Sequence, residues 1–215
     1  MPTLKFKEYS LDIPARVYLP SDDTDLLLLV LEKEVISTGK TFVKAIDIGA
    51  GNALLSLALY PVVKEIYSTD INPIVIDYLL NLKERYNLDK MKIVYSNLFD
   101  SIDKNEGFDL LVFNTPYVPT EELIEDEDLD QINGYDLAVN GGEYGREVID
   151  KFIEQLPSHL ERNGVCYLLV SSLNKPEELI ELLSNKGLKT EVAASKRLFF
   201  EEIFVLRITW VCQQM

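Results

Sequence analysis

The chain has 215 residues, 47% hydrophobic and 27% charged, so a sizeable packed core is within reach and disorder is excluded as its main state. Lys and Arg number 21 against 36 Asp and Glu, a net charge of −15, which argues against a protein whose main task is gripping a phosphate backbone. Cys166 and Cys212 are too few for a disulfide framework or a zinc site within the chain, and both read as buried thiols suited to a reducing cytoplasm.

In chain order, Met1–Ser10 has no apolar targeting run, and the longest apolar run, Leu26–Leu31, is too short to span a bilayer. That run follows Ser21-Asp22-Asp23-Thr24, a cluster of helix-starting residues, and predicts a helix from about Asp22 to Ile36. Residues 1–40 therefore read as an N-terminal segment whose helix packs on a core formed by 41–215, one domain overall. Lys44–Gly49 is a short apolar run ending at glycine, which suits a buried strand. Asn52–Tyr60 is helical in pattern and stops at Pro61; Glu65–Asp70 is a second strand, and Pro73 opens a helix to Tyr86. Lys92–Asn97 and Phe108–Asn114 are strands three and four. The acidic run Glu121–Asp130 reads as a solvated loop. A long helix over Glu143–Leu160, a strand over Gly164–Ser172 and a helix over Pro176–Asn185 follow. Lys189–Ser195 and Glu201–Trp210 lie too close for a crossover helix, so they must be antiparallel neighbours. The pattern predicts an α/β fold: a doubly wound, mostly parallel seven-stranded sheet with an antiparallel C-terminal strand. Ligands of such sheets sit outside the carboxyl ends of the strands.

The first of those ends reads Asp47-Ile48-Gly49-Ala50-Gly51-Asn52-Ala53. Gly49 and Gly51 allow a tight turn and close approach of a ligand, ahead of free N–H groups on the next helix. Asp70, at the end of the second strand and 19 residues past Gly51, is placed to accept hydrogen bonds from both hydroxyls of a ribose. It is equally placed to cap the helix at Pro73. Together these features point to an adenosine-type ligand over the first two strands.

The fourth strand ends Asn114-Thr115-Pro116-Tyr117, which resembles the N-P-P-Y signature of S-adenosylmethionine-dependent methyltransferases acting on planar or amide nitrogens. With Asp47, Gly49, Gly51 and Asp70, the set is similar to the class I, Rossmann-like methyltransferase fold. Tyr18-Leu19-Pro20-Ser21-Asp22-Asp23-Thr24 resembles the Y-x-P-x-(D/E)-D-T stretch of HemK-like protein-glutamine methyltransferases. Ala138 to Gly145 resembles their A-x-x-G-G-x-x-G segment. The short chain resembles the archaeal and eukaryotic branch, which modifies the GGQ glutamine of class I release factors. The resemblance implies S-adenosylmethionine as cofactor, held by Asp47, Gly49, Gly51, Asp70, Ile71, Asn97, Leu98, Asn114 and Thr24, with Asp23 beside Thr24. It implies no metal in the chain.

An amide nitrogen is a poor nucleophile, because its lone pair is delocalised into the carbonyl. An enzyme helps by holding its N–H groups so that the nitrogen faces the methyl in line. By resemblance, Asn114 Oδ1 accepts one N–H, the Thr115 carbonyl accepts the other, and Tyr117 packs on the flat amide beside Pro116. Three departures stand out. Thr115 replaces the usual proline, although its position before Pro116 keeps it extended. Asn97 replaces an Asp that contacts adenine, and its oxygen can still accept. Ala53 replaces a third glycine, harmlessly if it lies on the helix. Glu201 matches an acidic position before the last strand. His159, the only histidine, reads as an exposed or half-exposed helix residue away from the strand ends.

The leading expectation is methyl transfer to the release-factor glutamine. Alternatives are methylation of a nucleic-acid base nitrogen or of a protein lysine, and a non-catalytic scaffold. The charge argues against nucleic acid as main substrate. The third strand, 92–97, is expected at a sheet edge bearing Ile93, Val94 and Tyr95, which invites pairing. The short members of the family need a small zinc-containing activator there, so a heterodimer by strand addition is expected.

Overall fold

Alternation of strand and helix begins after a small antiparallel hairpin, β1 (Thr3–Phe6) and β2 (Tyr9–Asp12), and the helix α1 (Asp22–Glu34). The computed structural model describes residues 2–120 and 134–211, so the acidic run Glu121–Asp130 and Cys212 lie outside the described residues. Next come β3 (Phe42–Ile48), α2 (Leu54–Leu59), β4 (Val63–Asp70), α3 (Pro73–Tyr86) and β5 (Met91–Tyr95). β6 (Phe108–Asn114), the short α4 (Gly134–Val139), α5 (Glu147–His159) and β7 (Leu160–Ser171) follow. α6 (Pro176–Asn185), β8 (Leu188–Arg197) and β9 (Glu202–Trp210) close the described chain.

The seven long strands form one sheet in the order β5-β4-β3-β6-β7-β9-β8. Every pair from β5 to β7 is parallel, and β9 runs antiparallel to both β7 and β8. This is the doubly wound, mostly parallel sheet expected from the sequence. The order reverses at β3, which has β4 on one side and β6 on the other, so a crevice opens beyond their carboxyl ends.

Strand alternation divides the core into two layers. Ala45 joins the residues of α1, α2 and α3 on one face, while Ile46 and Ile48 join Ile149, Phe152, Ile153 and Leu156 of α5 on the other. The α5 residues recur at helical spacing and are wholly buried. Each such side chain contributes about 1.5–3 kcal/mol relative to exposure. The N-terminal hairpin adds Tyr9 and Leu11 to the first layer, and Tyr9 meets Tyr86 edge to face at 5.1 Å.

Local chemistry explains the boundaries. α3 starts where Asn72 accepts from the Ile74 N–H at 3.0 Å and Pro73 needs no donor partner; it ends at Asn87 in a left-handed turn, φ +52. The expected long helix from Glu143 starts instead at Glu147. Tyr144 (φ 57) and Gly145 (φ 65) turn the backbone left-handed and leave only a 3-10 turn over Glu143–Gly145. Among the described residues no helix is long and apolar enough to cross a membrane.

Candidate active site

The ends of β3, β4 and β6 surround a pocket of about 200 Å³. Gly49 and Gly51 line it with left-handed backbones, φ +62 and +48. Ala53 does not lie on the helix as expected: it precedes α2 with φ 70, a conformation that costs a residue with a Cβ roughly 1–2 kcal/mol. The turn is overdetermined by its neighbours, since Ala53 is fully buried and its N–H donates to Ala50 O at 2.8 Å.

Asp70 ends β4 at the pocket wall. Its Oδ2 accepts from the Gly51 N–H at 3.0 Å and its Oδ1 from the Asn72 N–H at 2.8 Å. The carboxylate thereby fixes the glycine turn, and each oxygen keeps a lone pair for a further donor. Burial pushes its pKa up to about 6, against the pull of the backbone N–H groups. Ile71, Asn97 and Leu98 line the adjoining wall, and Leu98 is held at φ 50 with its carbonyl accepting from Ser96 Oγ at 2.9 Å.

Asp47 is placed differently from the expectation. It is fully buried and does not line the pocket; alternation along β3 turns it toward α2, where Ser56 Oγ donates to its Oδ2 at 2.6 Å. Ser56 in turn bonds Ser68 at 2.7 Å. Burial pushes Asp47 up to about 7, opposed by the Ser56 bonds and aided by the Asp70 charge. The unfolded group ionises near 3.8, so between these values the folded chain holds a proton that the unfolded chain has released. Stability is therefore lost as pH rises through that window. Asp47→Asn is expected to raise the melting temperature by several degrees at about pH 8 and hardly at all near pH 4, read by thermal denaturation.

The segment before and into α1 forms another wall. Tyr18, Asp23 and Thr24 line the pocket, and the two acidic oxygens of Asp23 gather four donors: Tyr18 OH at 2.9 Å, Ser21 Oγ at 3.0 Å, Thr24 N at 2.5 Å and Thr24 Oγ1 at 3.1 Å. Asp23 thus orders this wall and also satisfies a first-turn N–H of α1, while Ser21 at the N-cap makes no side-chain cap bond.

Asn114, Thr115, Pro116 and Tyr117 complete the pocket from β6. Among the described residues, Asn114 Oδ1 is buried without a hydrogen-bond partner, a state that costs about 1–3 kcal/mol until a donor arrives. Thr115 is buried, and its hydroxyl donates to Leu169 O of β7 at 2.7 Å. That bond ties the residue to the neighbouring strand where a proline ring would have stiffened it. Thr115→Val is expected to lower the melting temperature by a few degrees, with Thr115→Ser staying near wild type, read by thermal denaturation.

The glycine-bearing segment from Ala138 supports this motif by close approach. A Cβ on Gly145 would stand 2.1 Å from Tyr117 O, and one on Gly141 would stand 2.3 Å from Pro116 O. Asn174, fully buried, adds a clamp: its Nδ2 donates to Tyr117 O at 2.8 Å and to Gly145 O at 3.1 Å. Asn174 was missed in the sequence, although Ser171-Ser172-Leu173-Asn174 carries the spacing of a capping box, which the structure forms. Asn140, inside the Ala138–Gly145 segment, also lines the pocket, as does Lys151 of α5, which gave no sequence signal.

Two residues fall elsewhere. His159 is buried, contrary to expectation, because its ring stacks on Phe99 at 4.3 Å and its Nδ1–H donates to Glu106 O at 2.8 Å. It lies at the amino end of β7, opposite the pocket. Glu201 accepts from Ser171 Oγ and does not line the pocket.

No family model matches the chain. It is 35% identical over 207 residues to a putative protein N5-glutamine methyltransferase of Methanocaldococcus jannaschii, covering 94% of this chain and 96% of that protein. Human methyltransferase HEMK2 is 32% identical over 200 residues, covering 90% of this chain and 89% of its own. In a solved complex of E. cuniculi Mtq2 with Trm112, responsible for methylation of the eRF1 termination factor, the matching chain superposes with a TM-score of 0.68. That match is 28% identical and covers 91% of this chain and 99% of the other. The chain belongs to the protein N5-glutamine methyltransferase family and has its class I methyltransferase fold.

Proposed function

We propose that the chain transfers a methyl group from S-adenosylmethionine to the side-chain amide nitrogen of the GGQ glutamine in a class I peptide-chain release factor. The observation that carries this reading is the buried Asn114 Oδ1 at the pocket, without a partner among the described residues, in an Asn-Thr-Pro-Tyr turn whose backbone is clamped by Asn174 and backed closely by Gly141 and Gly145. An acceptor without a donor is what a site for an incoming amide N–H requires.

The pocket also fits the cofactor. Asp70 keeps two lone pairs at the glycine turn for ribose hydroxyls, and Asn97 beside Leu98 offers an amide to an adenine edge. When bound, S-adenosylmethionine supplies an electrophilic methyl. The chain's own part is positioning: Asn114 Oδ1 accepts one N–H of the glutamine, the Thr115 carbonyl accepts the other, and Tyr117 packs on the amide plane. With the nitrogen so held, a C–N bond would form as the sulfonium–methyl bond breaks, S-adenosylhomocysteine would leave as the neutral thioether, and one N–H proton would pass to solvent. Holding the nitrogen in line is the main contribution expected of such residues.

The relatives' names support the acceptor: one relative in Schizosaccharomyces pombe, mtq2, is an eRF1 methyltransferase catalytic subunit, 29% identical in a match covering 95% of this chain and 92% of that protein. A small partner belongs to the same reading, a zinc-containing activator docking at β5. Among the described residues this strand pairs with β4 alone and shows Tyr95 half exposed, an edge open to strand addition. Residues 41–215 act as one methyltransferase domain with 1–40 packed on it, in the cytoplasm, where the buried Cys166 thiol stays reduced.

The test offers labelled S-adenosylmethionine with release factor, tRNA and DNA in one reaction, with and without the activator. Label on the release factor, stronger with the activator, is expected. Label on either nucleic acid would select the base-methylation alternative, and full activity of the chain as a lone monomer would remove the activator.

A further inference from the structure

The hairpin between β8 and β9 ends in the most exposed apolar side chains of the described residues. Phe199 is 91% exposed and Phe200 88%, and their rings meet edge to face with centroids 4.6 Å apart. Scattered exposed leucines need no explanation, but adjacent bare aromatics on one turn do.

The turn beneath them is fastened on every side. Leu198 N–H donates to Glu201 O at 2.8 Å, and Glu201 accepts from Ser171 Oγ at the end of β7. Glu202 N–H donates to Ser172 Oγ at 3.1 Å, and Lys196 Nζ donates to Asp22 Oδ1 at 2.9 Å at the start of α1. Leu198 itself is half buried against the core. The two rings are thus presented on a rigid base, where a partner can bury them without the cost of ordering a loop.

Their position joins them to the pocket. Leu169 of β7 pairs with Asn114, and Ser171, two residues on, pairs with Ile203 of β9, so the turn stands at the same end of the sheet as Asn114, with β7 between them. Asp22, which holds Lys196, is followed directly by the pocket residues Asp23 and Thr24. The glycine turn and Asp70 lie on the other side of Asn114, over β3 and β4. The turn therefore flanks the side from which an acceptor reaches Asn114. The edge strand β5 is at the far end of the sheet order, so a partner seated there leaves the turn bare.

We infer that Phe199 and Phe200 form the docking point for the folded protein that carries the methylated glutamine, contacting an apolar recess on it outside the glutamine loop. This rests on a protein acceptor, as proposed above. Lys196 is paired with Asp22, and the tip of the turn presents the two rings, so the central contact is apolar; large side chains buried at the centre of an interface carry much of its energy.

Steady-state kinetics of the enzyme with its activator test this, using two substrates: intact release factor and a short peptide carrying its Gly-Gly-Gln loop. The double variant Phe199→Ser, Phe200→Ser is expected to raise KM for the intact protein about tenfold or more, with little dependence on salt. Its kcat, and its kcat/KM on the peptide, should stay within about twofold of wild type. An unchanged KM for the intact protein overturns the inference, and so does an equal loss on protein and peptide. A wild-type enzyme that methylates neither overturns the acceptor and this inference together. A photo-crosslinking side chain in place of Phe199 provides a second readout: capture of the release factor supports docking, and capture of the activator alone overturns it.

Discussion

Asn114→Ala is expected to slow methyl transfer about 10²-fold while leaving S-adenosylmethionine affinity nearly unchanged. The side chain carries a buried oxygen with no partner, so its removal takes no hydrogen bond from that oxygen among the described residues. The loss falls on the acceptor: one of two contacts that turn the amide nitrogen toward the methyl disappears. Asn114→Asp separates orientation from charge. It keeps shape and an accepting oxygen, so partial activity on the amide is expected, above that of alanine. If Asp fails altogether on glutamine, a neutral acceptor is required. If Asn114 merely finished β6, both variants would lower melting temperature and cofactor affinity alike. Melting curves, calorimetry and single-turnover transfer on the same two proteins distinguish these outcomes.

Asp70→Ala is expected to act on the other half of the pocket. It removes the acceptor of the Gly51 and Asn72 N–H groups as well as the lone pairs offered to a ribose. Hydrogen bonds to a charged group are worth about 1.5–3 kcal/mol each, so cofactor affinity should fall tenfold or more. Burial holds the wild-type carboxyl at about 6, so its proton returns as pH falls through that value. A protonated carboxyl loses one accepting position. Wild-type affinity should therefore weaken below about pH 6, and Asp70→Asn should flatten that dependence. Calorimetry across this range showing equal affinity for wild type and Asp70→Ala would remove Asp70 from the cofactor site.

The parts of the fold that were legible are those where local chemistry and tertiary packing agree. α3, β6 and α6 fall where expected, at Pro73–Tyr86, Phe108–Asn114 and Pro176–Asn185, because proline marks two of the starts and an unbroken apolar run marks the strand. The β1–β2 hairpin was missed. Its turn runs through Lys7 at φ 52 without the Gly or Asn that signals such a turn, and its stability comes from Tyr9 and Leu11 packing on distant residues. The helix expected from Glu143 shows the converse: a good helical composition loses to Gly142 and Gly145, held left-handed beside Glu147 and the Tyr117 carbonyl.

The site divides in the same way. Gly49, Gly51, Asp70 and Asn114 were legible because each stands at a strand's carboxyl end, where the topology sends ligands. Asp47 read as part of that set, yet two-residue alternation aims it into the sheet–helix layer at Ser56. Asn174 and Lys151 come from elements distant in the chain. No spacing connects them to the Asn-Thr-Pro-Tyr turn until the sheet brings β7 beside β6. His159 reads as exposed or half-exposed in sequence but is buried, because its burial depends on Phe99 and Glu106, both far away in sequence.

The central claim is that Asn114 presents a glutamine amide to the methyl group. Its most direct test is tandem mass spectrometry of a release factor after reaction with S-adenosylmethionine and the enzyme–activator complex, run beside Asn114→Ala. A single methyl on the side-chain nitrogen of the GGQ glutamine, nearly absent with Asn114→Ala under matched conditions, is the expected result. A methyl on lysine, or glutamine methylation at full rate without the Asn114 amide, would contradict it.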